Sequence, residues 1–115
     1  MSSVFTQMLK EVECLMWYDG PMLVHYRDGK QDYVAVICDY VGNVDHWHVI
    51  KVDEHDMKAY MKNKATLLQL MERSPAIYRC VGNWLNAGVA VGDPIPFSAI
   101  PSDQRPSAKS FLRLK

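Results

Sequence analysis

The stretch Met22-Leu-Val-His-Tyr-Arg-Asp-Gly-Lys-Gln-Asp-Tyr-Val-Ala-Val-Ile-Cys38 decides the fold. Two runs rich in β-branched and aromatic residues flank Asp28-Gly29, a pair that favours a tight hairpin turn. Two-residue and four-residue loops give the same face membership, because both pair odd-numbered positions with even-numbered ones. One face then carries Met22, Val24, Tyr26, Tyr33, Ala35 and Ile37, and is expected to form the core. The other carries Leu23, His25, Arg27, Asp32, Val34, Val36 and Cys38, polar near the turn and apolar further away. A Leu23–Val34–Val36–Cys38 strip left uncovered would mark the surface of a partner or of a second copy.

Working outward, residues 12–18 suit a strand, and Asp19-Gly20-Pro21 a turn. Periodicity does not decide between a helix and an extended lead-in over 4–12. Gly42-Asn43 marks the next turn, and Trp47–Val52 a third antiparallel strand. Asp53 is placed to cap a helix over 54–62, with Met57, Tyr60 and Met61 on one stripe. Asn63-Lys64 weakens that helix. Thr66 and Gln69 have capping-box spacing and restart a helix over 67–73, which Ser74-Pro75 stops. Strands are expected over 76–81 and 84–91, the latter interrupted by Gly88. Residues 92–110 hold Pro94, Pro96, Pro101 and Pro106 and are expected to be irregular and extended. Phe111, Leu112 and Leu114 are candidates to anchor the C-terminus. The fold class is α+β: an antiparallel meander of about four to six strands with a helical segment packed on one face. The 115 residues form a single domain, with no internal repeat or linker.

Apolar residues make up 49% and charged residues 23%, which excludes disordered, collagen-like and coiled-coil chains. No apolar run is long enough to span a bilayer as a helix, so no membrane partner is expected. The first residues lack the basic-then-apolar pattern of a signal peptide. Cys14, Cys38 and Cys80 are odd in number and show no CxxC spacing. They read as free thiols of a cytoplasmic protein. The net charge of zero hides a split: residues 1–56 sum to −6 and residues 57–115 to +6. Such asymmetry marks either an electrostatic partner site or two halves that neutralise each other within one domain.

Tyr18-Asp19-Gly20-Pro21-x-Leu23, Trp47-x-Val49, Val52-Asp53-Glu54, the Ile-Pro-x-x-x-Ile-Pro segment at 95–101 and Phe111-Leu112 follow one another in this order. The layout resembles a family of small uncharacterised bacterial and phage accessory domains. His46 and His48 are not part of that pattern. The resemblance implies a compact accessory domain encoded by a mobile element or phage. It transfers no catalytic residue.

His46 and His48 are two apart on a strand and so share a face, which suits one metal ion. His25, Asp45 or His55 would have to supply a third ligand. Lys58, Lys62, Lys64, Arg73 and Arg79, with Arg105, Lys109, Arg113 and Lys115, carry the charge needed to meet phosphates, and Tyr60, Tyr78 and Trp84 have rings that stack on bases. The P-loop, GxGxxG and GxSxG fingerprints are absent, and the cysteines sit in apolar runs that favour inert thiols. Trp17, Tyr18, Tyr40, Trp47 and Trp84 are too many large rings for so small a core, and Trp and Tyr anchor protein interfaces. The leading expectation is a non-enzymatic interaction module, an inhibitor or adaptor that occludes a partner protein, with a homodimer as the version in which a second copy is the partner. It calls for no cofactor. The alternatives are a nucleic-acid-binding accessory protein using the basic half, and a metal-dependent enzyme at His46 and His48.

Overall fold

In the computed structural model the described residues are 10–17, 21–82, 89–90 and 93–106. The hairpin forms where the alternation places it. β2 (Pro21–Asp28) and β3 (Gln31–Val41) pair antiparallel from Asp28↔Gln31 to Leu23↔Val36. The turn is Gly29-Lys30, one position later than Asp28-Gly29. Gly29 takes φ +61° at the first turn position, a backbone region that costs glycine nothing. β4 (Val44–Val52) follows through Gly42-Asn43, whose φ values of 60° and 66° are the paired positive angles of a type I′ turn. β1 (Lys10–Trp17), β5 (Ile77–Val81) and β6 (Val89–Ala90) complete a six-stranded antiparallel sheet in the order β1-β2-β3-β4-β5-β6.

Two helices, α1 (Glu54–Met61) and α2 (Leu67–Arg73), connect β4 to β5. The Asp53 side chain accepts from the Asp56 backbone N–H at 2.7 Å, as a helix N-cap should. Asn63 does end α1, and by a defined device. It adopts φ 59°, the Lys64 N–H reaches Ala59 O at 2.8 Å and the Asn63 N–H reaches Tyr60 O at 3.1 Å. This is the Schellman pattern. The capping box opens α2: Thr66 Oγ1 accepts from the Gln69 N–H at 3.1 Å, and Gln69 Oε1 accepts from the Thr66 N–H at 2.9 Å. Asp56, buried on α1, accepts from Arg73 Nη1 at 3.2 Å and so ties the helices together.

Both faces of the sheet are buried. The expected core face contributes Val24, Tyr26, Tyr33 and Ala35, joined by Trp47, Val49 and Cys80. Ile37 is half-buried there, and the Met22 side chain lies outside those described. The helices, however, pack on the opposite face, where Leu23, Val34, Ile50, Val52 and Ile77 meet Met57, Tyr60, Leu67, Leu70 and Met71. The Leu23–Val34–Val36–Cys38 strip is therefore largely covered: Leu23 and Val34 are buried, and Val36 and Cys38 half-buried. Alternation identifies two faces but not which one a helix will choose. Here the links β4–α1 and α2–β5 are so short that both helices stay on the face of Val52 and Ile77.

The proline-rich segment is more ordered than expected. Ile95 bridges to Ile77 with two backbone hydrogen bonds, of 3.1 and 2.8 Å. Phe97–Ala99 and Ser102–Gln104 form single 3-10 turns after Pro96 and Pro101. Proline's fixed φ suits the residue that leads into such a turn. Ile100 enters the helix-side core at 1% exposure, and Arg105 stacks over the Phe97 ring at 4.4 Å. The expectations for residues 4–9, 18–20, 84–88 and the Phe111–Leu114 anchor lie outside the described residues. If the segment is a core element, Ile100→Ala lowers unfolding free energy by about 2–5 kcal/mol in urea denaturation. A loosely attached tail would leave the midpoint unchanged.

Candidate functional site

Three places collect chemistry-bearing side chains. The first is the tip of the β3–β4 hairpin. The described ladder from β3 to β2 stops at Val36, and the β5 side reaches Asp45, whose carbonyl accepts from the Gly82 N–H at 3.0 Å, so residues 39–44 extend beyond the described pairings with β2 and β5 as a two-stranded ribbon. The tip holds the exposed large apolar side chains among the described residues: Tyr40 at 60%, Val41 at 54% and Val44 at 36%. Val41 and Val44 face each other across the type I′ turn, while Tyr40 opposes Asp45 and Asp39 opposes His46. The Tyr40 hydroxyl donates to Asn43 Oδ1 at 3.4 Å, and Asp39 Oδ1 accepts from the Tyr40 N–H at 2.8 Å.

The second is a groove of about 580 Å³ between the β2–β3 turn and α1. At its floor His25 Nε2 and Asp32 Oδ1 lie 2.8 Å apart, both side chains under one-tenth exposed. Arg27 Nε donates to the same oxygen at 3.1 Å. Lys30 from the turn, Lys58 from α1 and Lys62 at its C-cap line the walls.

The third is a cavity of about 370 Å³ that includes His46, His48 and Arg79. As expected from the strand period, the two histidines share the helix-side face. His48 is 2% exposed and its Nδ1 has no hydrogen-bond partner. Burial, then the cross-strand Arg79 guanidinium, push its pKa below the ordinary value of 6.5. Among the described residues no group of three His, Cys, Asp or Glu side chains stands close enough to hold a metal ion.

The aromatic set is not brought together. Trp47 is fully buried and donates its indole N–H to Gly82 O at 2.8 Å, so it anchors β4 to the end of β5 rather than a partner. Only a covered sheet face accommodates a ring of that size at zero exposure. Tyr40 alone of the five is seen at the surface. Trp17 lies in β1 with its side chain undescribed, and Tyr18 and Trp84 lie outside the described residues. The basic set is likewise divided. Lys58 and Lys62 line the groove, Lys64 is exposed beyond α1, Arg73 pairs with Asp56, and Arg79 flanks His48. Arg105 covers Phe97, while Lys109, Arg113 and Lys115 lie outside the described residues. The split of charge along the chain does not carry over into space: Glu54–Lys58 at 3.0 Å and Asp56–Arg73 at 3.2 Å join the two halves, and the groove draws cations from both.

Two of the thiols, Cys38 and Cys80, are held in the protonated form. Burial, with the Asp39 charge adding to it, pushes Cys38 up to about 11, and burial pushes Cys80 up to about 12. The groove floor is what sequence reasoning missed as a site. Alternation already put His25, Arg27 and Asp32 on one polar patch, but not what roofs it.

Compared with known proteins, the chain matches no family model, no curated protein and no solved structure.

The neutral His48 ring gives a pH test. Below about 6.5 the unfolded chain takes up a proton there that the folded state resists, so this contribution to stability is full above that pH and falls as the pH drops. The slope approaches about 1.4 kcal/mol per pH unit for one proton. Denaturation of His48→Leu between pH 7.5 and 5 (values set about the ordinary histidine range) should show a flatter profile than the wild type. Parallel profiles would mean that His48 titrates normally.

Proposed function

We propose that this protein is a non-enzymatic interaction module, an inhibitor or adaptor that docks the β3–β4 tip against a partner protein and occludes the surface it covers. The observation that carries this reading is the exposure of Tyr40, Val41 and Val44 around the β3–β4 turn of a protein whose other described large apolar side chains are buried or half-buried. A strand tyrosine such as Tyr40 buries a large ring at small entropic cost, and such residues carry much of an interface's energy. Asp39 and Asp45 flank the apolar tip, and no lysine or arginine lies between Lys30 and Lys51. The matching partner surface is an apolar slot with a basic rim. A second copy docking tip to tip would set these acids against their own counterparts, so the charge pattern favours a different protein over a homodimer.

A photo-crosslinking residue at position 40, used in extract from the source cells, tests this. A partner captured there is purified and titrated against the wild type, Tyr40→Ala and Asp39→Lys/Asp45→Lys. Each variant is expected to weaken binding at least about tenfold, the size of a modest hot spot. Equal capture at position 64, or a captured protein whose affinity ignores Tyr40→Ala, would reject the tip as the docking element. Crosslinked dimers of the chain itself would make the partner a second copy.

A further inference from the structure

We propose that the groove between the β2–β3 turn and α1 binds a small phosphate monoester carrying an apolar or aromatic remainder. The site is separate from the hairpin tip and does not depend on the reading of that tip. Its volume, about 580 Å³, falls in the range of small-molecule pockets.

The charges in the groove do not cancel. Asp32 is satisfied by His25 and Arg27, and Glu54 by Lys58 at 3.0 Å. That leaves Lys30 and Lys62 without an ion-pair partner among the described residues. Arg27 contacts Asp32 through Nε and its side chain is about half exposed, which leaves its terminal N–H groups available as a fork suited to phosphate oxygens. Like charges that converge on a concavity raise the local concentration of anions, whereas a solvated surface has no reason to gather them there. The His25–Asp32 pair fixes the imidazole's orientation at the floor. Together, one guanidinium fork and two unpaired ammonium groups match a phosphate dianion.

The remainder of the ligand is specified by Met57 and Met61, which line the same groove from α1. Thioethers are polarizable and adapt to flat or irregular apolar groups. A nucleic-acid strand fits less well. It needs a basic track, and beyond Lys64 the next described cations in the chain are committed elsewhere: Arg73 to Asp56, and Arg79 to the cavity beside His48.

The test is amide NMR titration of the whole protein with phenyl phosphate, inorganic phosphate and a single-stranded oligothymidylate. Saturable shifts from phenyl phosphate are expected in residues 25–32 and 54–62, with binding about tenfold tighter than inorganic phosphate because the ring adds apolar burial. The Lys30→Ala/Lys62→Ala variant, altered only at exposed positions, should keep its thermal midpoint and lose at least about tenfold in affinity. Lys64→Ala, outside the groove, should bind as the wild type does. No saturable shift up to about 10 mM, or equal weakening by Lys64→Ala, would overturn the proposal. Binding of the oligonucleotide without phenyl phosphate binding would replace it with a nucleic-acid site.

Discussion

Burial of both faces of the central strands is the constraint on which the rest depends. Val34 and Ala35 on β3, and Val49 and Ile50 on β4, are neighbours in sequence that point to opposite sides, yet all are at zero exposure. A sheet with one wet face cannot do this, since alternate residues would meet solvent. Each such valine or isoleucine contributes about 1.5–3 kcal/mol by leaving water, so two covered faces nearly double what the short strands supply. The cover on one side is α1, α2 and the Ile95–Ile100 segment, which is why a proline-rich stretch with no regular element belongs to the core.

Two dry faces restrict where polar groups can sit. At the turn end of β2 and β3 a single carboxylate, Asp32, serves both His25 and Arg27. Removing either donor would leave charge poorly compensated in a buried place, a situation that destabilises strongly. That network holds the floor of the cationic groove still. Further along the sheet burial and then Arg79 oppose protonation of His48 and hold its pKa below the ordinary value. Toward the β3–β4 turn burial tapers, from half-buried Val36, Ile37 and Cys38 to Tyr40, Val41 and Val44, whose side chains remain in water. The groove and the tip thus arise from one cause: both lie where the two-sided core ends.

Much of the local structure was legible because local chemistry dictates it. The capping residues Asp53 and Thr66, the box with Gln69 and the Gly42-Asn43 turn each act over three or four residues, and each acts as its residue type requires. The candidate sites were less legible. In the sequence Lys58 and Lys62 stand among the cations of the second half and Arg27 on the polar end of a hairpin face, and only α1 folding back across the β2–β3 turn lines one groove with them and Lys30. Trp47 read as a surface anchor because ring counting cannot tell that the face it occupies is covered.

The sequence by itself determined the antiparallel meander, the boundaries of the helices and the membership of each sheet face, since periods of two and of about 3.6 residues and short capping motifs are local properties. Tertiary structure alone decided which face the helices cover, that the proline-rich segment reaches the core, and which charges stand together. Those outcomes depend on contacts between residues far apart in the chain, and no periodicity along the chain encodes them.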